Sequence, residues 1–451
     1  MMNSSPSTPT SFTAVVSSAG PGVLPTGRDS GWSRRQWIQG LAGMTAIAGT
    51  GAWLSGCASR PGAPSSGGKG VYGAVPGTVI AHSPAPSGRF VGSPSIAVLP
   101  NGEYVASHDF FGPKSNEHQR ATGRVYRSAD RGQHWQLIAE IDGMFWSSLF
   151  VHRGALYLLG LDRHHGRILI RRSRDGGATW TTPVDGRSGV LRADAEFHCA
   201  AMPVVEHAGR LWRAFEWRNP PTSWGVNYRA GVLSVPVDGD LLDAAQWTSS
   251  EFLASDRAWN RGDMGGWLEG NVVAGPDNTL WNLLRVDTRE VPEKGALLRI
   301  SNDGRTVAFD PETGFVDLPG GAKKFAVRRG PKSGAYWSLV SFIAPGWEHL
   351  GKPATVRNTL SLVRSVDLRH WEVRCHLLHH PDRVRHGFQY VDWLFDGADL
   401  IAACRTAYDD DTGGANNAHD ANYLTFHRIR NFRSLSPRDS VPLTRPVPSG
   451  A

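Results

Sequence analysis

One unit recurs along this 451-residue chain and restricts its fold more than any other feature. The unit consists of an apolar run, a turn containing glycine, a second apolar run, a loop, and a third run followed by a late aromatic residue. Two clear copies cover residues 95–135 and 149–180. Further units begin near Ala200, Leu268, Lys324 and Gln389. Short strands that repeat at ~50–70-residue intervals are typical of four-stranded blades arranged in a ring.

The repeat predicts an all-β chain with a single β-propeller of six four-stranded blades over residues 71–435. A seven-bladed ring is the alternative, with the extra blade in the long gaps at residues 240–264 or 343–356. Residues 78–81 are expected to close the ring as an outer strand of the last blade. The composition agrees, because 40% hydrophobic residues can build a large core and 52 glycines supply many turns.

Charge and cysteine content narrow the possible partners. The net charge is +7, but no block is rich in lysine or arginine, so we expect no nucleic-acid partner. A modest positive charge suits an acidic ligand. The four cysteines contain no CxxC pair, which argues against a zinc site of that type. We expect buried free thiols in the folded part and a monomer.

The N-terminal region carries targeting signals. Arg34 and Arg35 precede an apolar run at residues 40–54, as in a twin-arginine export signal, and the run is shorter than the ~18–20 residues of a membrane span. The sequence Leu54-Ser55-Gly56-Cys57 resembles a bacterial lipobox, so lipidation is expected at Cys57. A short membrane helix and an ordinary cleavage site are the alternatives. We therefore predict a signal peptide over residues 1–56, a flexible tether over 57–70 and a disordered tail over 436–451.

This organisation predicts export by the twin-arginine pathway and a lipoprotein anchored to a membrane, in the periplasm or at the cell surface.

Two turns carry a more specific pattern. Residues 128–135 and 173–180 both read Ser-x-Asp-x-Gly-x-x-Trp and match the Asp-box of sialidase-like propellers. In that motif the aspartate caps a hairpin through backbone N–H groups. Trp135 and Trp180 are then expected to be largely buried between blades. Incomplete copies lie at residues 301–304 and 365–367.

Unusual polar residues lie where the second strands of the units end or the inner strands begin. Both positions are at the end of the ring opposite the turns at residues 128–135 and 173–180. Convergence there predicts a central pocket. The candidates are His108, His198, Arg213, Glu269, Arg285, Arg405, Tyr408 and His419. Structural roles stay open for several of them, such as ion pairing for the arginines or backbone hydrogen bonds for Glu269. The acidic run at residues 409–411 is either a solvated loop or part of a calcium site with Asp409 and Asp411. The pairs His164–His165 and His379–His380 are expected at the surface.

Several short sequence segments outside these turns resemble a narrower group of propeller proteins. They lie at residues 94–102, 106–113, 197–200, 212–216, 267–271 and 419–423. Together they resemble sialidase-like propellers that act on uronic-acid glycans, the rhamnose–glucuronate lyases and related exo-rhamnosidases. The resemblance covers residues 94–433. The Phe/Tyr-Arg-Ile-Pro motif with which sialidases bind sialate is absent from the sequence, which argues against sialic acid.

The resemblance implies β-elimination on an acidic glycan. Removal of the C5 proton of a uronic acid requires a neutralised carboxylate, which arginine provides through a bidentate contact. We assign the acid or base role to His108 and the neutralising role to Arg213, with Tyr228 and Tyr408 as proton donors to the leaving oxygen. Expected substrate-binding residues are His198, Glu269, Arg285, Arg405 and His419. No cofactor is required, although calcium is possible.

Two other functions remain open from the sequence. Hydrolysis by an exo-glycosidase normally needs two carboxylates, which Asp109, Glu216, Glu269 or Asp420 could supply. A glycan-binding lipoprotein without catalytic activity is the third possibility.

Overall fold

The computed structural model describes residues 73–218, 220 and 223–446. These residues form six antiparallel sheets, numbered here as blades 1 to 6 in chain order, and almost no helix. The prediction of a six-bladed, all-β propeller is confirmed. The two gaps that might have held a seventh blade contain loops, short 3₁₀ turns and the two outer strand segments of blade 3, Thr248–Ser249 and Leu253–Ala254. The predicted signal peptide, Cys57 and the tether lie outside the described residues.

The strands of each blade are given from the inner to the outer edge. Blade 1 contains Phe90–Val91 with Ser95–Val98, Tyr104–Phe111, Thr122–Ser128 and Gln136–Asp142. Blade 2 contains Phe145–His152, Ala155–Leu161, Ile168–Ser173 and Val190–Arg192. Blade 3 contains Glu196–His198 with Val205–His207, Arg210–Arg218, Arg229–Pro236, and Thr248–Ser249 with Leu253–Ala254.

The second half of the ring repeats the pattern. Blade 4 contains Trp267–Ala274, Leu280–Val286, Lys294–Ile300, and Val307–Ala308 with Phe315–Asp317. Blade 5 contains Ala326–Arg329, Tyr336–Ser341, Thr359–Ser365 and Trp371–His379. Blade 6 contains Gly387–Asp396, Asp399–Ala407, Tyr423–Ile429 and Thr78–His82. The 3₁₀ turns are Ala85–Ser87, Ala244–Gln246, Asn260–Gly262, Pro353–Thr355, Phe432–Ser434 and Pro437–Asp439.

The outer strand of blade 6 comes from the start of the described chain. Thr78–His82 pairs with Tyr423–Ile429, as the sequence predicted for ring closure. The junction is reinforced near the axis, where the hydroxyl of Ser95 in blade 1 donates to Asp392 of blade 6 over 2.8 Å. Because this closure joins the two ends of the chain, the ring leaves no unpaired edge between its first and last blades.

Apolar side chains pack between neighbouring blades. Six clusters of buried residues each join two adjacent blades, including the cluster between blades 6 and 1. Trp212 and Trp267 belong to the cluster between blades 3 and 4, and Trp337 and Trp393 belong to the cluster between blades 5 and 6. Each aromatic side chain of this size buries a large apolar area, so the interfaces hold the ring together. Cys199, Cys375 and Cys404 are buried free thiols, as expected.

The turns identified in the sequence follow third strands. Oδ1 of Asp130 accepts from the backbone N–H groups of Gln133 and His134, and Oδ1 of Asp175 accepts from Thr179 N over 2.9 Å. Trp135 and Trp180 are partly buried and pack against the clusters between blades 6 and 1 and between blades 1 and 2. Each indole N–H also donates to its own turn, to the carbonyl oxygens of Gly132 and Gly177.

The C-terminal segment also differs from expectation. Residues 436–446 of the predicted disordered tail lie against blade 5 in the structure. Val441 N donates to His376 O over 2.9 Å, and the Trp347 indole donates to Thr444 O over 2.9 Å. Backbone pairing with an outer strand orders this part of the tail. Within the described ranges, no helix is both long and apolar enough to cross a membrane.

Candidate active site

A pocket of about 680 Å³ opens at the end of the ring where the inner strands begin. All six blades contribute to its wall, with residues from Gly92 in blade 1 to His419 in blade 6. Third strands run parallel to inner strands, so the turns of Asp130 and Asp175 lie at the other end of the ring. A cavity of about 670 Å³ lies where the inner strands end, and its wall is largely aliphatic, with Val98, Val151 and Val273.

Three inner strands bend at the pocket and turn one side chain each into it. Trp146, Glu269 and Tyr390 have positive φ angles of 49°, 52° and 54°. Each lies at a shift of strand register in blade 2, 4 or 6. A bulge of this kind re-aims a side chain, and left-handed backbone at a non-glycine residue costs of order 1–3 kcal/mol. The alternating blades thus contribute an indole, a carboxylate and a phenol to one site.

Three guanidinium groups, from Arg285, Arg357 and Arg405, line the same pocket and are nearly fully buried. Burial lowers the pKa of Arg357 to about 10, and the positive charges of the other two arginines act in the same direction. Nη1 of Arg357 donates to Gln389 over 2.7 Å, and Nε of Arg405 donates to His419 O over 3.1 Å. Concentrated positive charge in a buried pocket favours an anionic ligand.

Glu269 balances part of this charge. Its Oε2 accepts from Nη1 of Arg285 over 2.9 Å. Burial opposes the ionisation of Glu269, but the positive charge of Arg285 outweighs it, so the pKa of Glu269 is lowered. Burial likewise opposes the charged form of Arg285, but Glu269 and Tyr390 raise its pKa overall. The pocket wall carries four arginines, Arg285, Arg357, Arg383 and Arg405, against three carboxylates, Glu117, Glu269 and Asp287, and so has a small excess of positive charge.

Tyr390 lies at the centre of the arginine group. Its phenol is close enough to interact electrostatically with Arg285, Arg357 and Arg405. The guanidiniums of Arg405 and Arg357 lie 4.7 and 5.7 Å from the centre of the ring. Surrounding positive charge stabilises negative charge that develops on the phenol oxygen. Tyr390 can therefore act as a nucleophile or as a base.

His198 is held in one orientation at the pocket. Its Nδ1 donates to Oε2 of Glu216 over 2.8 Å, and both side chains are buried. The other oxygen of Glu216 accepts from Gly270 N over 3.1 Å, which connects blades 3 and 4. The carboxylate holds the Nδ1 proton, so Nε2 is the ring nitrogen left to contact a ligand. The imidazole can therefore bind a hydroxyl group at Nε2.

Asp109 lies beside the pocket and has a carboxyl group whose pKa is close to 7. Its oxygens accept from Ser93 N, over 2.8 Å, and from Trp146 N. Burial raises its pKa to about 7, although both hydrogen bonds and the charge of Arg405 oppose the rise. Gly92 lines the pocket directly over it, and an added Cβ there would lie 1.5 Å from Oδ1. Because Gly92 has no side chain, the Asp109 carboxyl group can pack directly against the pocket wall.

Aromatic residues form the rest of the pocket wall. Trp224 is 43% exposed, and the Arg285 guanidinium lies 5.3 Å from its ring centre. The rings of Trp146 and His198 meet edge to face at 4.6 Å. Phe111 packs under Arg405 at 4.4 Å. Flat apolar surfaces between a few oriented polar groups are typical of small-ligand sites.

Five of the residues proposed from sequence line this pocket, namely His198, Glu269, Arg285, Arg405 and His419. Nδ1 of His419 bonds to Asp420 over 2.8 Å, and its ring meets Phe111 edge to face.

The four residues to which a catalytic role was assigned are absent from the pocket wall. Tyr228 is buried beside His198 and bonds through its hydroxyl to His165 over 2.6 Å, and burial raises its pKa to about 12. Tyr408 packs between blades 5 and 6 against the rings of His380 and His386.

His108 and Arg213 are buried for identifiable reasons. His108 alternates with Asp109 along its strand, so it faces Tyr126, whose ring stacks on it at 5.7 Å. Burial lowers the pKa of His108 to about 4, and the side chain is neutral. Arg213 lies in the middle of its strand, opposite Leu233, and donates to the carbonyl oxygens of Ala200 and Ala214.

In the acidic run at residues 409–411 of blade 6, Asp409 and Asp410 contact other side chains of the protein. Asp410 accepts from Thr412 and Asn422 and pairs with His82 over 2.8 Å. Asp409 lies 3.3 Å from Nε2 of His386, and Asp411 is exposed. Among the described residues, Asp409 and Asp411 are not part of a group with metal-ligand spacing.

The pairs His164–His165 and His379–His380 were expected at the surface, but these histidines are at least partly buried or line the pocket. His164 lines the pocket, and His165 is partly buried. His380 is buried and stacks on His386 with ring centres 3.5 Å apart.

Sequence reasoning did not single out Arg357, Trp146 or Trp224, and it placed Tyr390 at this end of the ring without giving it a role in the site. Arg357 lies just before the third strand of blade 5, which is the same end of the ring as the other candidates. It directly follows the long gap at residues 343–356 that was considered for an extra blade. Tyr390 was recognisable as a polar residue at the start of an inner strand, but only the bulge shows that it turns inward.

Comparisons with known proteins give structural likeness only. No protein-family model matches the chain, and no curated protein matches it in sequence. A protein of unknown function from Dyadobacter fermentans has a TM-score of 0.52 and 14% identity, covering 79% of this chain and 100% of that one. The Hadza microbial sialidase Hz136 has a TM-score of 0.53 and 13% identity, covering 78% and 68%.

A third similar structure is the α-L-arabinanase of Penicillium chrysogenum in complex with arabinobiose. Its TM-score is 0.50 at 13% identity, with 80% of this chain and 98% of that one covered. At such identities the likeness establishes the fold, a sialidase-like six-bladed β-propeller, and leaves the chemistry to the residues of the pocket.

Proposed function

We propose that this protein is a carbohydrate-active enzyme that cleaves a glycosidic linkage next to a carboxylate-bearing sugar. The observation that carries the proposal is the group of three buried guanidiniums, from Arg285, Arg357 and Arg405, in one pocket. Guanidiniums bind a planar carboxylate through paired hydrogen bonds. Trp224 and Trp146 provide flat apolar surfaces for a sugar ring.

Hydrolysis is the reaction that the pocket supports best. Tyr390 lies among the three arginines and would attack the anomeric carbon, since tyrosine replaces the usual nucleophilic carboxylate in some glycoside hydrolases. Asp109, with a pKa of about 7, would protonate the leaving oxygen. A water molecule would then release the sugar from the tyrosine. The similar folds of a sialidase and an arabinanase also support a glycosidase.

β-Elimination of a rhamnose–glucuronate linkage is the second candidate. It is favoured by the His198–Glu216 pair, which orients a buried imidazole so that Nε2 of its neutral form would take the proton. The same arginines would neutralise the uronate carboxylate and so acidify its C5 proton. In this reaction His198 takes the base role that the sequence suggested for His108.

The test is product analysis with a panel of acidic oligosaccharides. Hydrolysis gives a new reducing end without ultraviolet absorbance, whereas elimination gives an unsaturated uronate that absorbs. We expect Tyr390→Phe to abolish hydrolysis, while His198→Gln lowers it less. Tyr157→Phe, in blade 2 and outside the pocket, is the matched control and should retain activity.

Other outcomes would redirect the assignment. An absorbing product that disappears in His198→Gln would establish the lyase instead. Saturable binding of an acidic glycan without any product would indicate a binding protein. Equal turnover of neutral and acidic glycans would overturn the role of the arginine group.

A further inference from the structure

Three metal-ligating side chains meet at the mouth of the pocket. Glu117 and His118 lie in the loop between the second and third strands of blade 1, and His164 lies in the corresponding loop of blade 2. One ligand atom of each lies within 4.8 Å of the others. Glu117 and His164 also line the pocket, so the cluster faces the space where substrate would enter.

The two loops are already held in register. His164 N donates to Glu117 O over 2.7 Å, and the imidazoles of His118 and His164 stack with centres 4.8 Å apart. Oε1 of Glu117 accepts from Gly112 N over 3.3 Å, which orients the carboxylate. The ligands are therefore placed by backbone and ring contacts before any ion binds, which reduces the ordering cost of binding.

The spacing of the donor atoms suits a small tetrahedral ion. Oε2 of Glu117 lies 3.4 Å from Nδ1 of His164, and Oε1 lies 3.6 Å from Nε2 of His118. Both distances are longer than the donor–acceptor distance of a good hydrogen bond. Nitrogen and oxygen ligands about 2.0–2.1 Å from a tetrahedral zinc ion are separated by roughly 3.4 Å, so the gap is the size of the ion.

His164 also lacks the partners that a buried imidazole normally has. Both of its ring nitrogens are shielded from solvent and make no hydrogen bond of good geometry with the described residues. A buried polar group without a partner costs free energy, which a ligand can recover.

We propose that Glu117, His118 and His164 bind one divalent transition-metal ion, with Zn²⁺ the best match to two imidazoles and a carboxylate. Three protein ligands leave a fourth position for water or a substrate hydroxyl. Bound metal would tie the loops of blades 1 and 2 together at the pocket mouth. The site is separate from the arginine group and does not depend on the reaction proposed above.

The test is metal titration of the purified full chain after chelator treatment and removal of the chelator. Calorimetry with ZnCl₂ should show one ion per chain, and CoCl₂ should give the visible spectrum of a tetrahedral complex with nitrogen and oxygen ligands. His118→Ala is the first variant, because this side chain is 71% exposed and its removal should leave the fold intact. Loss of one ligand should weaken binding ~10–100-fold or more.

Glu117→Gln and a surface control complete the design. Glu117→Gln keeps the size of the side chain but removes its charge, and should also weaken Zn²⁺ binding. His134→Ala removes an 84% exposed histidine from the turn at the other end of the ring and should bind like the wild type. Zinc should raise the melting temperature of the wild type and of His134→Ala, but not of His118→Ala. Unchanged Zn²⁺ affinity in both His118→Ala and Glu117→Gln, or no binding by the wild type, would overturn the proposal.

Discussion

Among the pocket arginines, Arg357 offers the clearest single-residue test, because its described hydrogen bond goes to the neutral amide of Gln389 rather than to a carboxylate. Arg357→Lys keeps the charge but loses the planar pair of donors. Charge-assisted hydrogen bonds contribute ~1.5–3 kcal/mol, so KM for an acidic glycan should rise by roughly 10–100-fold. Arg364→Lys, at a partly exposed pair with Glu372 in the same blade, is the control. Equal KM values for the two variants would exclude a carboxylate contact at Arg357.

Asp109 should make both activity and stability depend on pH. Its folded pKa of about 7 is above the unfolded value of ~3.9, so the folded chain holds this proton more tightly. The stability contribution is complete below the unfolded pKa and is lost as pH rises through about 7. Turnover that needs the protonated acid should fall over the same range. Urea unfolding and kcat, each measured from pH 5 to 8, test both expectations.

Asp109→Asn separates the two effects. The variant cannot ionise, so the fall in unfolding free energy between pH 5 and 7 should become smaller. Its kcat should drop by on the order of 10²–10⁴ if the carboxyl is the general acid. A pH dependence of stability identical to the wild type would show that another group titrates.

The adjacent residues His108 and Asp109 show how much of the site can be predicted from the sequence. A polar His-Asp pair at the end of a strand signals a site, and the sequence places it at the correct end of the ring. Alternation along the strand puts Asp109 beside the pocket, under Gly92, whereas His108 faces Tyr126. Which of two adjacent residues faces inward depends on strand register, which the sequence of this chain does not specify.

At the scale of the strand, pairing with the inner strand decides which second-strand side chains lie at the pocket. They are the residues paired with the first residues of the inner strands. Arg285 is paired with Leu268, Arg405 with Gln389, and Glu216 with His198. Arg213 is three residues before Glu216 and therefore lies deeper in the ring. The sequence predicted the strand and its direction correctly, but the depth of a residue in a nine-residue strand required the structure.

Gly92 gives a prediction for the inner edge of blade 1. Its N–H donates to Asp109 O over 2.7 Å, and a Cβ would overlap the Asp109 carboxyl group. Gly92→Ala should therefore destabilise the fold by ~1–3 kcal/mol, as overpacking does, and should reduce activity. Gly186→Ala is the control, since the nearest atom to its Cβ would be 3.6 Å away. Chemical denaturation measures both, and equal stabilities would show that the Asp109 side chain moves aside at little cost.

At the scale of the whole molecule, the ring was predictable because its information is repeated. Each blade is an imperfect copy of one unit, so errors at single strands do not change the architecture. The site is not repeated, since each blade contributes different residues to it. Tyr390 and Trp146 reach the pocket through bulges, and a bulge arises from packing around the axis rather than from the local composition of a strand.

The whole chain also carries a prediction for residues outside the described structure. If Cys57 is lipidated after export, Cys57→Ala should move the protein from the membrane fraction to the soluble fraction, because a diacylated cysteine supplies the apolar surface that holds a protein at a bilayer. Ser59→Ala, two residues further along, is the matched control and should stay with the membrane. Replacement of Arg34 and Arg35 by lysine should instead block export and leave the precursor inside the cell. Fractionation with detection of the chain by antibody distinguishes these results, and membrane association that is unchanged in Cys57→Ala would rule out the lipid anchor while leaving the propeller and its pocket unaffected.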